Sequence, residues 1–270
     1  MSGRGTRARG PGVRSFEALR WLARLEVAGI EPLGMALGFG WRTTYSHVER
    51  LAAAGLLVRA FDPDGSVVAI TAAGRRAVEA DRGDIRSGAT HGSGLRHARA
   101  ASWVAALLTL RDREWISDHE LRGLDDWQIP VVWAGNRGRH RPDLGVVMTA
   151  EARVAVEVEL SHKSPRRLRA ILAGYEEAIV SGRVAGGLIY VSNRSDVLEA
   201  VKRAADRAGV PQQHFRTRDL GKVQAEVRRL TGERGVATRG QAAEARSSTT
   251  ARTSRNPERP DGVDAREVLR

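Results

Sequence analysis

The chain has 270 residues, 44 lysines and arginines against 32 acidic residues, and a formal net charge of +12. Its length and its 41% apolar content suffice for one large or two small packed domains. The absence of cysteine excludes disulfides, thiolate metal sites and cysteine nucleophiles. Such an excess of positive charge attracts polyanions, among them DNA, because phosphate contacts supply most non-specific DNA affinity.

The two ends of the chain differ in composition from the rest. Residues 1–14 are rich in glycine and arginine and lack an apolar segment, so they are predicted to be a disordered basic arm and not a secretory signal. Residues 232–270 are predicted to be a disordered tail on the same grounds. The sequence has no run of about 18 apolar residues, so no membrane partner is expected and a cytoplasmic location fits.

The segment 15–80 has the pattern of several helices and a hairpin. Apolar residues at helical spacing predict a first helix, Pro32 suits the first turn of a second, and a third is expected at 41–54. The turn signal at 62–65, Asp-Pro-Asp-Gly, then joins two short strands. A last helix follows the hairpin.

This order, with the phrase HVERLAAAGLLVRAFDPDGSVVAITAAGRRAVE, resembles the winged helix-turn-helix domains of the MarR and ArsR families. The resemblance implies binding to double-stranded DNA, with the third helix in the major groove and the wing on the backbone. It also implies the DNA-contacting side chains, which are Arg42, Thr43, Ser46, His47, Arg50 and Arg59. A domain that contacts only other proteins is the alternative. A homodimer is also a possible partner state, because winged helices often act as dimers.

Residues 81–95 carry four glycines and little apolar content, which predicts a linker. The segment 96–231 then predicts the order α, β, β, β, α, β, α, followed by a short strand and a helix. The first three strands are expected at 131–133, 142–148 and 153–160. Ser164 as N-cap and Pro165 at the first position predict the start of the next helix. The whole chain is therefore predicted to be a mixed α/β protein.

The second and third of these strands are predicted to form an acidic hairpin. If residues 149–153 form the loop, antiparallel pairing puts Gly145 opposite Glu157 and Asp143 opposite Glu159. Three carboxylates then line one face, Gly145 leaves room beside them, and alternate valines face the core. Such close carboxylates repel one another unless a cation screens them, and Mg²⁺ or Mn²⁺ is the natural oxygen-ligated partner. The alternative is a solvated acidic face paired with Arg141, Arg153 or Arg167.

The segment RPDLGVVMTAEARVAVEVELSHKSPRRLRAILAGYEEA, in this order of elements, resembles the PD-(D/E)XK nuclease superfamily. Together with the first block it resembles the replication-relaxation family of plasmids and integrative elements. The resemblance implies a C-terminal αβββαβ domain in which Asp143 and Glu157 bind the metal ion. Glu159 stands where the superfamily usually has lysine, and Lys163 is the implied source of that ammonium group. The implied catalytic set is Asp143, Glu157, Glu159 and Lys163, with all three carboxylates as metal ligands.

Three further residues have two interpretations each. Glu120 suits a capping box with Ser117 better than a role as an additional catalytic acid. His97 matches a histidine typical of the family, and Tyr175, on the helix after the acids, is a candidate to face the site. Packing roles explain His97 and Tyr175 equally well.

The function predicted from the sequence is a DNA-binding protein of plasmid or mobile-element replication or transfer. Its nuclease-like domain is expected to hydrolyse DNA phosphodiesters with Mg²⁺ or Mn²⁺. The alternative is a non-catalytic winged-helix regulator, or a replication or mobilisation accessory factor with an inactive nuclease fold. The acid at position 159 favours this alternative.

Overall fold

A computed structural model describes residues 11–62, 65–78, 93–133, 135–149 and 152–247. The protein is mixed α/β, and its contacts divide the chain into two compact units, unit 1 at residues 1–102 and unit 2 at residues 103–270. No helix within the described ranges is long and apolar enough to cross a membrane. Most of the predicted linker and most of both predicted disordered ends lie outside the described residues.

Unit 1 contains four whole helices and three strands in its described part. In chain order these are α1 (Val13–Leu25), β1 (Val27–Gly29), α2 (Ile30–Ala36), α3 (Trp41–Ala53), β2 (Leu57–Asp62), β3 (Gly65–Ile70) and α4 (Ala72–Val78). The strands form one antiparallel sheet in the order β1-β3-β2. The predicted helices and hairpin are confirmed. Strand β1 was not predicted, because three residues are too few for an alternating pattern.

The core of unit 1 is built from the apolar stripes of its helices and the inner face of its sheet. Its fully buried side chains include Leu19, Leu22, Leu33, Leu51 and Val67. Each such side chain contributes about 1.5–3 kcal/mol by leaving water. Helices α2 and α3 approach closely at Gly34, where an added Cβ would overlap Thr44. Glycine therefore sets the distance between these two helices.

Unit 2 begins inside the long helix α5 (Ser93–Leu110), so the first part of this helix belongs to unit 1. Its remaining elements are β4 (Glu114–Ser117), α6 (Asp118–Leu121), β5 (Ile129–Trp133), β6 (Asn136–His140), β7 (Leu144–Val147), β8 (Arg153–Val158), α7 (Pro165–Val180), β9 (Gly187–Ser192), α8 (Ser195–Ala208), β10 (Phe215–Asp219) and α9 (Leu220–Ser247). Helix α9 continues through residues 232–247, the first part of the predicted disordered tail. Alanine, arginine and glutamate, which favour helices, are frequent there.

The main sheet of unit 2 has the strand order β10-β9-β8-β7-β4. Strands β4, β7 and β8 pair antiparallel, whereas β8, β9 and β10 run parallel. Residues 131–133 form a strand, as predicted, but this strand is not part of the main sheet. They belong to β5, which pairs only with β6 in a separate, largely exposed hairpin. The edge position is taken by β4, whose side chains are alternately buried.

The register predicted for the acidic hairpin is also wrong, by two residues. Gly145 pairs with Ala155, and not with Glu157. The cause is a tighter turn, since Met148 N already donates to Ala152 O at 2.9 Å. A shift of two residues keeps every side chain on its predicted face. The shift places Asp143 beside Glu157, at the end of β8, and not beside Glu159 as predicted.

Both faces of strand β8 are buried. One face packs against α7 and α8, whose buried side chains meet those of the strands; the cluster includes Ala155, Leu172, Tyr175, Leu188, Tyr190 and Val201. Val154, Val156 and Val158, on the other face, are buried as predicted. Glu157 shares the face of Ala155, so its carboxylate points into the layer below α7.

Candidate acidic site and nucleic-acid interface

Glu157 is the centre of a buried polar cluster in unit 2. Only 3% of the residue is exposed, and its Oε1 accepts a hydrogen bond from the hydroxyl of Tyr175 on α7. The same oxygen lies 2.7 Å from Nε2 of His140, at the end of β6. A buried carboxylate requires such partners, because an unpaired charge in the interior is costly. The hairpin β5–β6 and helix α7 thus hold the acid from two sides.

The surroundings of His140 favour its protonated form. Burial alone would lower the pKa of His140, but the charge of Glu157, the hydrogen bond to it and the charge of Asp143 together raise that pKa above its usual value. The ring also meets Tyr175 edge-on, with the centroids 5.7 Å apart. His140 was not singled out in the sequence. The only signal was its position two residues before Pro142, next to the acidic strand.

The two tyrosines beside Glu157 are completely buried but differ in their hydroxyl groups. Burial, followed by the charge of Glu157, raises the pKa of both Tyr175 and Tyr190 well above the usual value, so both stay neutral. Tyr175 donates to Glu157. The hydroxyl of Tyr190 has no hydrogen-bond partner within the described part of the chain. Tyr175 therefore has both of the roles considered from the sequence, since it packs in the core and faces the acid. The sequence analysis did not identify Tyr190.

Asp143 lies just before β7 and is half-buried. Its Oδ2 accepts a hydrogen bond of 2.6 Å from the backbone N–H of Val158, the residue after Glu157. This contact ties Asp143 to the end of β8. The guanidinium groups of Arg141 and Arg153 pair with Asp118 and Asp126, at 3.0 Å each.

Glu159 and Lys163 form an ion pair at the loop between β8 and α7. Burial lowers the pKa of Lys163, and Arg167 adds to this, while Glu157 and Asp143 act in the opposite direction. The ammonium group is therefore within electrostatic reach of both motif acids. This is the region in which the sequence resemblance implied a lysine.

The residues as placed do not assemble the predicted metal site. No group of three or more histidine and acidic side chains in the described ranges is arranged to hold a metal ion. Oε1 of Glu157 is occupied by Tyr175 and His140, and Glu159 is paired with Lys163. The space expected beside Gly145 is filled, since an added Cβ would lie 2.7 Å from the indole ring of Trp127.

Glu120 has the structural role that the sequence favoured. Its backbone N–H donates to Ser117 Oγ at 3.2 Å, and its carboxylate accepts from Ser117 N at 3.0 Å. These two bonds are the capping box of helix α6.

In unit 1, helix α3 exposes four of the side chains predicted to contact DNA: Arg42, Thr43, Ser46 and Arg50. The prediction that His47 is exposed is wrong, because 7% exposure places it on the inner face with Thr44 and Leu51. His47 Nδ1 lies 2.8 Å from Ser15 Oγ. Burial, and then the charge of Arg50, lower the pKa of His47, so the ring is held neutral.

An exposed cluster of aromatic rings surrounds Arg59, at the base of the hairpin. Arg59 pairs with Glu49, and its guanidinium lies 5.4 Å from the ring centroid of Tyr45 and 5.5 Å from that of Phe61. The ring of Trp41 lies tilted against that of Tyr45, with the centroids 4.2 Å apart, and Trp41 and Phe61 are 60% and 75% exposed. The sequence analysis did not predict this cluster. Its signal was the spacing of the residues: Trp41 and Tyr45 are four apart on a helix, and Arg59 and Phe61 are two apart on a strand, so each pair shares a face.

Comparisons of the chain with protein-family models, with curated proteins and with solved structures found no match. The function is therefore argued from the two sites themselves, the exposed face of α3 in unit 1 and the acidic cluster in unit 2.

Proposed function

We propose that unit 1 is a winged helix-turn-helix domain that binds double-stranded DNA through helix α3. The observation that carries the proposal is the division of α3 into a buried face and an exposed polar face. The exposed face presents Arg42, Thr43, Ser46 and Arg50. Arginine reads guanine edges or neutralises phosphates, and hydroxyl groups contact either.

The order of elements supports this assignment. Three helices precede an antiparallel hairpin, and β1 adds a third strand to it. In winged helices this arrangement presents the third helix to the major groove and the hairpin to the backbone. The exposed rings of Trp41 and Phe61, with Arg59 beside Phe61, add the stacking surfaces that nucleic-acid interfaces often use.

The test is equilibrium binding of the full chain to a labelled DNA duplex at several salt concentrations. The double variant Arg42→Ala/Arg50→Ala is expected to bind more weakly and to reduce the slope of log K against log salt by about 0.9 for each phosphate that is no longer neutralised. The matched control is Arg20→Ala/Arg76→Ala, which removes the same charge from exposed positions on α1 and α4. Equal decreases in affinity in both variants, or none in either, would reject α3 as the binding element.

DNA hydrolysis by unit 2 is a second candidate, favoured by the order of its elements. Helix α5, the antiparallel strands β4, β7 and β8, helix α7 and the parallel strand β9 follow the αβββαβ order of the PD-(D/E)XK fold. Asp143 and Glu157 lie at neighbouring positions in it, and Lys163 interacts electrostatically with both. The partners of Glu157 Oε1 and the ion pair of Glu159 with Lys163 favour the non-catalytic alternative, an accessory or regulatory DNA-binding protein that retains this fold.

A plasmid assay separates these two possibilities. Supercoiled plasmid is incubated with the protein and Mg²⁺ or Mn²⁺, alongside Asp143→Asn and Glu157→Gln, with thermal unfolding as a check that each variant folds. Cleavage by the wild type that a folded variant lacks would establish hydrolysis. Plasmid left equally intact by all three proteins would leave DNA binding as the function. A role in plasmid replication or mobilisation rests on the resemblance of the sequence and is proposed with either outcome.

A further inference from the structure

Unit 2 contains a cavity of about 340 Å³ between helices α7 and α8. Its floor is apolar and buried, with Leu168 from α7 and Val197, Val201 and Ala204 from α8. The volume is near the lower end of the range of about 300–1,000 Å³ that small-molecule sites occupy. The cavity has room for one group of mononucleotide size.

The rim of this cavity is cationic. Arg169 of α7 and Arg203 and Arg207 of α8 line it with exposed side chains. The carboxylate among its lining residues, Glu159, is already paired with Lys163. Cationic side chains therefore outnumber acidic ones around the cavity, which favours an anionic ligand.

The spacing of the rim arginines also favours an anionic ligand. Arg203 and Arg207 are four residues apart on α8, so their like charges are neighbours on one helix face and repel each other. Neither Arg169 nor Arg207 has an ion-pair partner among the residues that the structure describes. A phosphate would relieve this repulsion, and arginine binds phosphate oxygens with two parallel hydrogen bonds.

The cavity also lies near the carboxyl end of strand β8. Helix α7 follows strand β8 and helix α8 follows strand β9, and the two strands are parallel. Glu159, which directly follows β8, lies in the cavity wall.

We propose that this cavity binds a single nucleotide, with the phosphate on Arg203, Arg207 and Arg169 and the base on the apolar floor. The nucleotide is either free or the unpaired end of a DNA strand. The second source rests on the proposed DNA-binding function, whereas the first does not.

Calorimetric titration of the full chain tests the site. The probes are the four 2′-deoxynucleoside 5′-monophosphates, the corresponding nucleosides and inorganic phosphate. A mononucleotide is expected to bind more tightly than a nucleoside or phosphate alone, because only the mononucleotide engages both floor and rim. Arg203→Gln/Arg207→Gln is expected to weaken binding by about tenfold or more, since hydrogen bonds to charged groups are among the stronger ones.

Two further variants test whether the loss of binding is specific to the cavity. Lys202→Gln/Lys222→Gln removes the same charge from exposed positions that do not line the cavity and is expected to bind like the wild type. Ala200→Trp fills the cavity from α8 and is expected to abolish mononucleotide binding while the rim arginines remain. Thermal unfolding shows which variants are folded.

A second titration, with DNA duplexes, identifies the source of the nucleotide. The chain is titrated with a blunt duplex and with the same duplex carrying a single-stranded overhang. A preference for the overhang that Arg203→Gln/Arg207→Gln removes, with blunt-duplex affinity unchanged, supports the site and assigns it to a strand end. Mononucleotide binding without such a preference supports the site and assigns it to free nucleotides.

The proposal is overturned if the wild type shows neither mononucleotide binding nor an overhang preference. It is also overturned if the rim variant behaves like the lysine control. Either result is independent of the blunt-duplex affinity and its sensitivity to Arg42→Ala/Arg50→Ala, so a failure of this site is distinguishable from a failure of the proposed DNA binding.

Discussion

The hydroxyl of Tyr175 donates a hydrogen bond to Oε1 of Glu157, joining helix α7 to the centre of the main sheet. Both residues are buried, and they are 18 positions apart in the chain. The bond stabilises a carboxylate that has little access to water. Helix α7 therefore has a polar attachment to the sheet in addition to its apolar packing.

Tyr175→Phe is expected to lower the free energy of unfolding by about 1–3 kcal/mol, because it leaves a buried acceptor with one fewer donor. The matched control is Tyr190→Phe, which removes an equally buried hydroxyl that has no hydrogen-bond partner in the described part of the chain. Tyr190→Phe is expected to leave stability unchanged or to raise it. Urea unfolding followed by tryptophan fluorescence measures both. Equal decreases in stability would contradict the assigned hydrogen bond.

The stability of unit 2 is expected to depend on the protonation of His140. The pKa of His140 is raised in the folded protein, so its contribution is fully present below the unfolded pKa of about 6.5 and is lost as the pH rises through the folded pKa. The unfolding free energy of the wild type minus that of His140→Gln should therefore fall as the pH rises. Urea unfolding at a series of pH values gives this difference.

His214→Gln is the control for that series, since the ring of His214 makes no hydrogen bond or ion pair within the described ranges. The fall for His140→Gln is expected to exceed any change for His214→Gln, because only His140 of the two pairs with a buried carboxylate. A pH-independent difference for His140→Gln would contradict the charged pair of His140 and Glu157.

Arg75 and Glu26 form a buried ion pair in unit 1, with Arg75 NH1 2.8 Å from Glu26 Oε1 and both residues less than a tenth exposed. Arg75→Met is expected to cost about 3–5 kcal/mol, because removing one partner of a buried ion pair is strongly destabilising. Arg76→Met, at the exposed neighbouring position on α4, is expected to have little effect. Thermal and urea unfolding compare them, and a similar destabilisation by both would refute the special role of the buried pair.

Helix α7 packs so closely on β5 that a Cβ added to Gly174 would overlap the backbone oxygen of Pro130. Gly174→Ala is expected to destabilise the protein by about 1–3 kcal/mol, because the helix must move away from the hairpin that carries His140. Gly232→Ala, on the exposed side of α9 with nothing within 4 Å, is expected to stabilise it by about 0.5–1 kcal/mol. Effects of the same sign in unfolding experiments would contradict this assignment of α7 and β5.

The sequence by itself determined the features that depend on near neighbours. The N-cap Ser164 and the following Pro165 predicted the start of α7, and the structure confirms both. The capping box of Ser117 and Glu120 is equally local. Such signals involve contacts within one turn of chain, so a window of residues contains all the groups that take part.

Tertiary structure alone decided which chemistry surrounds the acids. His140 and Tyr175 reach Glu157 from 17 and 18 residues away, and Ser15 meets the buried ring of His47 across 32. The edge strand β4 and the two-residue register shift likewise depend on pairings between distant segments. Periodicity specifies which face a side chain occupies, but long-range packing selects its partner, since many partners share the same local pattern.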